Sequence, residues 1–326
     1  IATAMPLPTP SPRGAAPVTT ATLPANRPAI RFSPRARHAR LAAPETSRVP
    51  STMSTAAHAS RSVAVAGLGT IGLKVVRALD QGIPGLHLSA VAGRDRDKTA
   101  KAVAGFTTPP KVVESGELAQ HADVIVDCAP SAAFSALGDS VIGAGKILMT
   151  VNAGALLRRM DLVDKARQTG GQVIVPTGGL LGFDAVRALA EGTITRVTMI
   201  TRKPPNGLEG APYLLERGIS LAGLNEPKLV FQGNATEGAR GFPANVNVAA
   251  ALGLAGIGPD RTTLEIWADP TVERNTHTIE VEGDTARLTL KIENVPSEEK
   301  PRTGKIVAPS VIACLRGMTA PLRVST

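Results

Sequence analysis

Aromatic residues and cysteines are scarce in this chain of 326 residues. It contains one Trp, one Tyr and two cysteines, Cys128 and Cys314. So few aromatic side chains offer no platform on which bases could stack, which argues against a nucleic-acid partner. Two thiols far apart in sequence suggest neither a disulfide framework nor a zinc site, and they fit a reducing compartment. We therefore expect no bound metal.

Long apolar runs are also missing. No run approaches the roughly 18–20 residues that are needed to span a bilayer. The hydrophobic fraction is nevertheless 43%, which is enough for a sizeable core. The sequence thus predicts a soluble protein without a membrane partner, and we expect it in the cytoplasm.

Lysine and acidic residues are almost absent from the first 52 residues, which contain seven arginines and one acid, Glu45. This segment carries about two thirds of the net charge of +9, so the basic balance does not indicate a binding surface. Residues 1–60 are rich in Pro, Ala, Ser and Thr and lack periodicity, which predicts a disordered leader. We favour sequence translated ahead of a start at Met53. The alternative is a transit peptide, which would place the protein in an organelle.

A regular alternation of strands and helices begins at Arg61. Short apolar strands are predicted at 63–66, 86–92, 124–128, 147–151 and 173–176, with helices between them that include 95–104, 131–142 and 156–169. This pattern indicates an α/β fold with a Rossmann-type, doubly wound parallel sheet over residues 61–185.

The alternation loosens after Gly182. Strands are predicted at 195–202, 228–232, 262–268, 276–281 and 286–292, with a hairpin turn at 281–285. They indicate a second α+β domain with a mostly antiparallel sheet over residues 186–303. Helices are predicted at 245–254 and 305–318, and we expect the C-terminal helix of segment 304–326 to return to the first domain.

A glycine loop joins the first strand to the first helix. It reads Gly67-Leu68-Gly69-Thr70-Ile71-Gly72. In this context the first glycine permits a tight turn, the second lets the backbone approach a pyrophosphate and the third lets helix and strand pack closely. The free N–H groups of the helix N-terminus would bind the phosphates. The loop therefore predicts a bound nicotinamide dinucleotide.

The second strand ends in Gly93-Arg94-Asp95. NAD-preferring folds usually have an acid at this strand end, which accepts from the ribose 2′-OH. Arg94 could instead pair with the 2′-phosphate of NADP, while Asp95 caps the next helix. We expect NAD or NADP as the cofactor, with NADP slightly favoured. The alternative is that Arg94 is only a solvated surface charge.

Several motifs in one order resemble the L-aspartate dehydrogenase family. The resemblance runs from about Val63 to Leu322. Besides the glycine loop, the matching segments are TVNAGAL at 150–156, GGLLGFDA at 178–185, TRKPP at 201–205, FPANVNVAA at 242–250, ADP at 268–270 and NTH at 275–277. Together they are far more specific than a glycine loop alone.

The resemblance implies reversible NAD(P)-dependent oxidative deamination of L-aspartate, through iminosuccinate, to oxaloacetate and ammonia. It implies that His277 is the catalytic residue, and that Asn247 and Gly179 bind the cofactor, with Asn247 also near the substrate. The family usually has Ala at the position of Gly179. A homodimer is also expected.

The residue types suit this reaction. Hydride leaves Cα only when the amine is neutral, and histidine is a base that titrates near neutral pH. His277 could deprotonate the amine or activate the water that hydrolyses the imine. Arg202 and Lys203 are candidates for binding the two substrate carboxylates, although they could equally be surface charges at a strand end.

Two other functions are compatible with the glycine loop. One is a sugar or dihydrodipicolinate-type reductase, but the strand end at 150–153 lacks the Lys-Pro pair that such sugar enzymes usually carry. The other is a non-catalytic NAD(P)-binding sensor, which would have no need of His277, Asn247 and Arg202 together.

Overall fold

The computed structural model describes residues 60–243, 246–299 and 303–324. The predicted leader up to residue 59, including Met53, lies outside the described residues, as do Ala244 and Asn245 of the predicted helix at 245–254. No described helix has the length and apolar character that crossing a membrane would require.

The first half of the described chain alternates strands with helices. In chain order the elements are β1 (Arg61–Ala66), α1 (Thr70–Asp80), β2 (Leu86–Ala92), α2 (Arg96–Val103), β3 (Lys111–Val112), α3 (Leu118–His121), β4 (Val124–Asp127), α4 (Phe134–Gly143), β5 (Ile147–Thr150), α5 (Ala153–Leu156), α6 (Asp161–Thr169) and β6 (Gln172–Ile174). The helix predicted at 156–169 corresponds to α6, which begins only at Asp161, whereas Leu156 is the last residue of α5. In the connection between them, the Arg159 guanidinium pairs with Asp139 and Asp161.

These six strands form one parallel sheet, sheet A, in the order β3-β2-β1-β4-β5-β6. Its central strands are buried on both faces. Ala64 and Ile125 belong to a core cluster with Phe134 and Leu162 from α4 and α6, whereas Val63 on the other face belongs to a second cluster that includes residues of α1. Sheet A is therefore doubly wound, as predicted. The strand order reverses between β1 and β4, the point where such sheets bind ligands.

The second half contains α7 (Phe183–Ala190), β7 (Ile194–Lys203), α8 (Pro212–Glu216), β8 (Lys228–Asn234), α9 (Ala235–Gly241), α10 (Asn247–Ala255), β9 (Thr262–Ala268), β10 (Thr276–Gly283), β11 (Arg287–Glu293) and α11 (Val307–Gly317). The predicted boundary between residues 185 and 186 falls inside α7. That helix contributes Phe183, Val186 and Leu189 to the core of this half.

The five strands of this half form sheet B, in the order β11-β10-β7-β9-β8. All its pairs are antiparallel except β7 with β9, which is parallel. The parallel pair arises because the chain between β7 and β9 passes through β8, α9 and α10, a connection long enough for a crossover. The predicted hairpin is confirmed, since Gly283 N donates to Ala286 O at 3.0 Å between β10 and β11.

The C-terminal helix α11 packs on the first half of the chain, as predicted. Its Val311 and Leu315 are buried in the same cluster as Val75 and Val76 of α1. Close by, Ser310 Oγ accepts a hydrogen bond at 3.0 Å from the backbone N of Gly178, in the loop that follows β6. Helix α11 thus supports the loop that follows β6.

Candidate active site

The glycine loop between β1 and α1 is shaped by positions that accept only glycine. Gly67 has φ +86°, and a Cβ there would lie 2.7 Å from Ala129 N. A Cβ on Gly72 would lie 1.9 Å from Gly67 O. By contrast, a Cβ on Gly69 would meet no described atom within 4 Å, and Gly69 caps α1 without a side-chain hydrogen bond. The first amides of α1 therefore face open space, which fits a dinucleotide pyrophosphate.

A cleft extends along this loop, and we call it the glycine-loop cleft. It is lined by 67–71, by Gly93, Arg94 and Lys98, and by the ends of β4 and β5. Arg94 is exposed at this cleft. The Asp95 side chain accepts a hydrogen bond from Lys98 N at 3.0 Å and so caps α2, as expected. A Cβ at Gly93 would lie 2.2 Å from Thr99 Oγ1, so packing excludes an acidic side chain there.

A second cavity, the inner cavity, continues from this cleft. The two share Ile71, Val151 and Asn247 as wall residues. The inner cavity is further lined by Gly178 and Gly179 after β6 and by side chains from sheet B, namely Lys203, Asn275, His277 and Asn294. It therefore joins the carboxyl ends of the parallel strands to one face of sheet B.

His277 is buried on the inner face of sheet B, with 4% of its surface exposed. It pairs with Thr201 in the antiparallel register of β10 and β7, and its Nδ1 lies 3.1 Å from Thr201 Oγ1. Burial, together with the nearby positive charge of Lys203, lowers the pKa of His277 to about 3. The imidazole is therefore neutral at physiological pH, and in this structure it is a weaker base than the near-neutral histidine expected from the sequence.

Lys203 and Arg202 lie on opposite faces of β7, because successive side chains of a strand alternate. Lys203 is 5% exposed and lines the inner cavity. The Arg202 guanidinium instead pairs with the buried Asp269 carboxylate at 3.1 Å and lies 4.8 Å from the centre of the Trp267 ring. Of the two predicted carboxylate ligands, the structure brings only Lys203 into the cavity with His277.

Three polar side chains lie one pleat beyond His277, at one edge of sheet B. They are Lys203 at the end of β7, Asn275 just before β10 and Asn294 just after β11. Thr276 pairs with Arg202 on one side and with Glu293 on the other. At the next position, Asn294 N donates to Asn275 O at 2.9 Å. An ammonium and two amides thus lie near the imidazole, on the face of sheet B that lines the cavity.

Asn247, the first residue of α10, lies where the cleft and the inner cavity meet. Its Oδ1 accepts a hydrogen bond from Gly154 N at 3.0 Å, which ties α10 to α5. Gly179 lines the inner cavity, and its carbonyl accepts from Asn294 Nδ2 at 2.9 Å. Asn247 and Gly179, which the resemblance implies as cofactor contacts, therefore both line the inner cavity.

A buried polar network holds the strand ends beneath the cleft. Asp127 at the end of β4 is fully buried, and its Oδ2 accepts from Thr150 Oγ1 at 2.8 Å and from Asn152 Nδ2 at 2.9 Å. Burial raises the pKa of Asp127, while these hydrogen bonds oppose the shift. Sequence reasoning missed this network, although Asp127 in an otherwise apolar strand was a signal.

Two family models match consecutive parts of the chain. The model described as "Homoserine dehydrogenase, NAD binding domain" matches residues 67–176, and the model described as "Aspartate dehydrogenase, C-terminal" matches residues 184–318. The L-aspartate dehydrogenase of Bradyrhizobium diazoefficiens is 53% identical over 264 residues, which cover 81% of this chain and 94% of the relative. The chain belongs to the L-aspartate dehydrogenase family.

Other relatives agree with this assignment. L-aspartate dehydrogenase 3 of Bordetella bronchiseptica is 53% identical over 81% of this chain and 97% of its own length. The aspartate dehydrogenase of Thermotoga maritima, a crystal structure, is similar in fold, with a TM-score of 0.61, 20% identity and coverage of 81% of this chain and 99% of that chain. Membership of the L-aspartate dehydrogenase family, which the sequence motifs predicted, is thereby confirmed.

Sequence reasoning also missed Thr201, Asn275 and Asn294. Asn275 stands in the family segment NTH, and Asn294 lies two residues after a predicted strand. Neither position could be assigned to the cavity without the register of β10 with its neighbours. Asn275 belongs to a segment that resembles the L-aspartate dehydrogenase family, but the segment alone did not show that Asn275 lines the cavity together with His277.

Proposed function

We propose that this protein is an L-aspartate dehydrogenase, which catalyses the reversible NAD(P)-dependent oxidative deamination of L-aspartate to oxaloacetate and ammonia. The observation that carries the proposal is the inner cavity. It joins a dinucleotide-type cleft to a neutral buried His277 and to the Lys203 ammonium. A reaction that moves a hydride and a proton on an anionic substrate needs these groups together.

When bound, the nicotinamide cofactor supplies the acceptor for a hydride. In the proposed cycle, the substrate ammonium loses a proton, and the hydride then leaves Cα while the amine lone pair forms the C=N bond of iminosuccinate. Water adds to that bond, and ammonia leaves as the carbonyl of oxaloacetate forms. His277 is the proposed proton acceptor. An Nδ1–H that donates to Thr201 Oγ1 leaves Nε2 as the acceptor atom.

Lys203 is the proposed ligand of a substrate carboxylate. Its ammonium lies on the cavity side of sheet B, and an ammonium–carboxylate hydrogen bond in a buried site is stronger than one between neutral groups. A bound carboxylate also offsets the Lys203 charge, which is the smaller of the two causes that lower the pKa of His277 after burial, and so shifts that pKa upwards. Arg202, whose guanidinium is paired with Asp269, has a supporting role on the opposite face.

The pyrophosphate is proposed to bind to the glycine loop, Gly67, Leu68, Gly69, Thr70, Ile71 and Gly72. The nicotinamide end is proposed to bind to Gly179 and Asn247. Arg94, with Lys98 beside it in the cleft, is proposed to favour the 2′-phosphate of NADP. Arg94→Ala should then weaken NADP binding more than NAD binding. An equal change for both cofactors would contradict this role.

The proposed partners are L-aspartate or oxaloacetate and ammonia, and the proposed working state is a cytoplasmic homodimer. Light scattering of the purified protein measures the mass in solution. A mass equal to that of one chain at micromolar concentration would contradict the dimer.

Activity is tested with the purified full chain. The assay follows formation of reduced cofactor from L-aspartate at alkaline pH, and its consumption with oxaloacetate and ammonium in reverse, with NAD and NADP in parallel. Turnover in both directions is expected. Cofactor binding without turnover in either direction would favour a sensor, and turnover of a sugar or of dihydrodipicolinate instead would favour a different reductase.

A further inference from the structure

The side-chain amide of Asn294, directly after β11, is held in one orientation. Asn294 is 5% exposed and lines the inner cavity. Its Nδ2 donates to Gly179 O at 2.9 Å. Because a carbonyl can only accept, a flipped amide would set two oxygens against each other. The amide oxygen Oδ1 must therefore point away from Gly179.

Asn294 Oδ1 has no hydrogen-bond partner within the described part of the chain, although it is buried. A buried acceptor without a donor carries a desolvation penalty that the fold does not recover. Oδ1 lies against Gly304, another residue of the cavity wall, where a Cβ would approach it to 3.0 Å, so a residue larger than glycine would crowd it. An N–H donor from a bound molecule would complete this site.

We infer that Asn294 Oδ1 binds the amino group of the substrate. This inference rests on the proposed function and assigns a specificity residue to it. Asn294 adjoins Asn275 across β10 and β11, and Lys203 and His277 line the same cavity. A dicarboxylate held by Lys203 near His277 would then have its amine within the same cavity. The carboxamide of the nicotinamide ring is the competing donor.

The chemistry of Oδ1 distinguishes the two ends of the reaction. The ammonium or amine of aspartate, an iminium and free ammonia can all donate N–H to it, whereas the carbonyl of oxaloacetate offers only another acceptor. Asn294 therefore favours the nitrogen-bearing species. In the reverse direction it holds ammonia for attack on the carbonyl carbon.

The experiment compares L-aspartate with succinate, which has the same two carboxylates and no amine. Each is titrated by calorimetry into the protein loaded with reduced cofactor, and the Michaelis constant for ammonium is measured in reverse. Asn294→Ala should weaken L-aspartate binding and raise the Michaelis constant for ammonium by about 10- to 100-fold, the range for a hydrogen bond to a charged group. Succinate and cofactor affinities should be unchanged.

Two further variants separate binding from support of the loop. Asn294→Asp keeps an acceptor but loses the donor to Gly179 O, so it should retain the preference for L-aspartate over succinate. Ser310→Ala removes the acceptor of Gly178 N in the same loop without touching Asn294. It should leave that preference intact.

Four results would overturn the inference. If Asn294→Ala weakens L-aspartate and succinate binding equally, Asn294 only supports the loop. The same conclusion follows if Ser310→Ala weakens L-aspartate binding selectively, as is expected for Asn294→Ala. A loss of cofactor affinity with an unchanged aspartate-to-succinate ratio would assign Oδ1 to the carboxamide. If Asn294→Ala does not fold, loss of the aspartate preference in Asn294→Asp decides against it. Failure of the proposed function is seen separately, as wild-type protein without aspartate turnover.

Discussion

Sheet A contributes to the site mainly through its backbone, whereas sheet B contributes side chains. After β1 and β6 the walls include glycines, whose role is to let main chain and ligand come close. On sheet B the cavity is lined by a neutral imidazole from β10, an ammonium from β7, and two amides from the residues before β10 and after β11.

This difference between the two sheets assigns cofactor binding to sheet A and the proposed reaction with substrate to sheet B. A loop of backbone amides can bind any dinucleotide phosphate, so it says little about the reaction. The imidazole and ammonium on sheet B respond to the charge and protonation state of a particular substrate. Variants in sheet A should therefore change cofactor affinity, and variants in sheet B should change turnover or substrate affinity.

The largest effect is expected at His277. His277→Gln should lower turnover by about 100- to 10,000-fold, the usual contribution of a positioned general base. Cofactor affinity should remain, because the glycine loop is untouched. Steady-state kinetics and a fluorescence titration with reduced cofactor measure the two quantities. Unchanged turnover would exclude His277 as the base, and Thr201→Val is the control for loss of its Nδ1 partner.

Substitutions at two glycines of the loop should distinguish an effect on cofactor affinity from an effect on stability. Gly72→Ala forces a Cβ to within 1.9 Å of Gly67 O and should lower both stability and cofactor affinity, the latter by about 10- to 100-fold given the usual cost of overpacking. Gly69→Ala meets no described protein atom, so stability should hold while cofactor affinity falls. Wild-type cofactor affinity in Gly69→Ala would show that the phosphates do not lie there.

Neighbouring cations on β7 should behave differently. Lys203→Ala removes the ammonium from the cavity and should raise the Michaelis constant for aspartate by about 10- to 100-fold. Arg202→Ala leaves Asp269 without its guanidinium and should lower the free energy of unfolding by about 1–3 kcal/mol, with little change in that constant. The reverse pattern would move the carboxylate site to Arg202.

The buried imidazole of His277 should make the free energy of unfolding depend on pH in the acid range. The pKa of His277 is about 3 in the folded protein and about 6.5 when unfolded, so below pH 6.5 the unfolded chain binds the extra proton. Stability is lost as pH falls through this window, by about 2 kcal/mol at pH 5 from this group. Urea unfolding should show that the wild type loses more stability between pH 7 and pH 5 than His277→Gln does. Equal losses would mean that His277 is not buried as a neutral base.

The smallest effect is expected at Gly179. A Cβ there would lie 3.3 Å from Val248 Cγ2, a contact that a small shift relieves. Gly179→Ala should therefore change the ratio of turnover to Michaelis constant by less than about tenfold. Gly178→Ala is the matched control, because its φ of +62° makes alanine strained. A larger loss in Gly179→Ala would mean that the cofactor occupies the space of this methyl group.

Much of sheet A could be predicted from sequence, because its signals are local. The apolar run of β1, the glycine loop and the start of α1 lie within twenty residues, and each supports the others. The strands of sheet B and their mostly antiparallel pairing could be predicted too, but their order in the sheet could not. The parallel pairing of β7 with β9 depends on a crossover, which periodicity does not reveal.

The site on sheet B depended on information that no single segment carries. Period-two alternation separates Arg202 from Lys203, but it does not say which of them faces the cavity. His277 was identified only by resemblance, since a lone histidine in a strand is more often structural. The helices α8 and α9 were not predicted, because they are short and are held by tertiary contacts such as the packing of Tyr213 with Phe231 and Phe242.

The alignment of Lys203, Asn275 and Asn294 also limits where the chain can change length. One residue inserted within β7, β10 or β11 would turn every later side chain of that strand to the other face. A single insertion before Lys203 would exchange it with its neighbour. Residues 204–227, which connect β7 to β8, lie beyond the alignment and can lengthen without rotating it. Length variation that preserves activity should therefore occur in that connection and not in the strands.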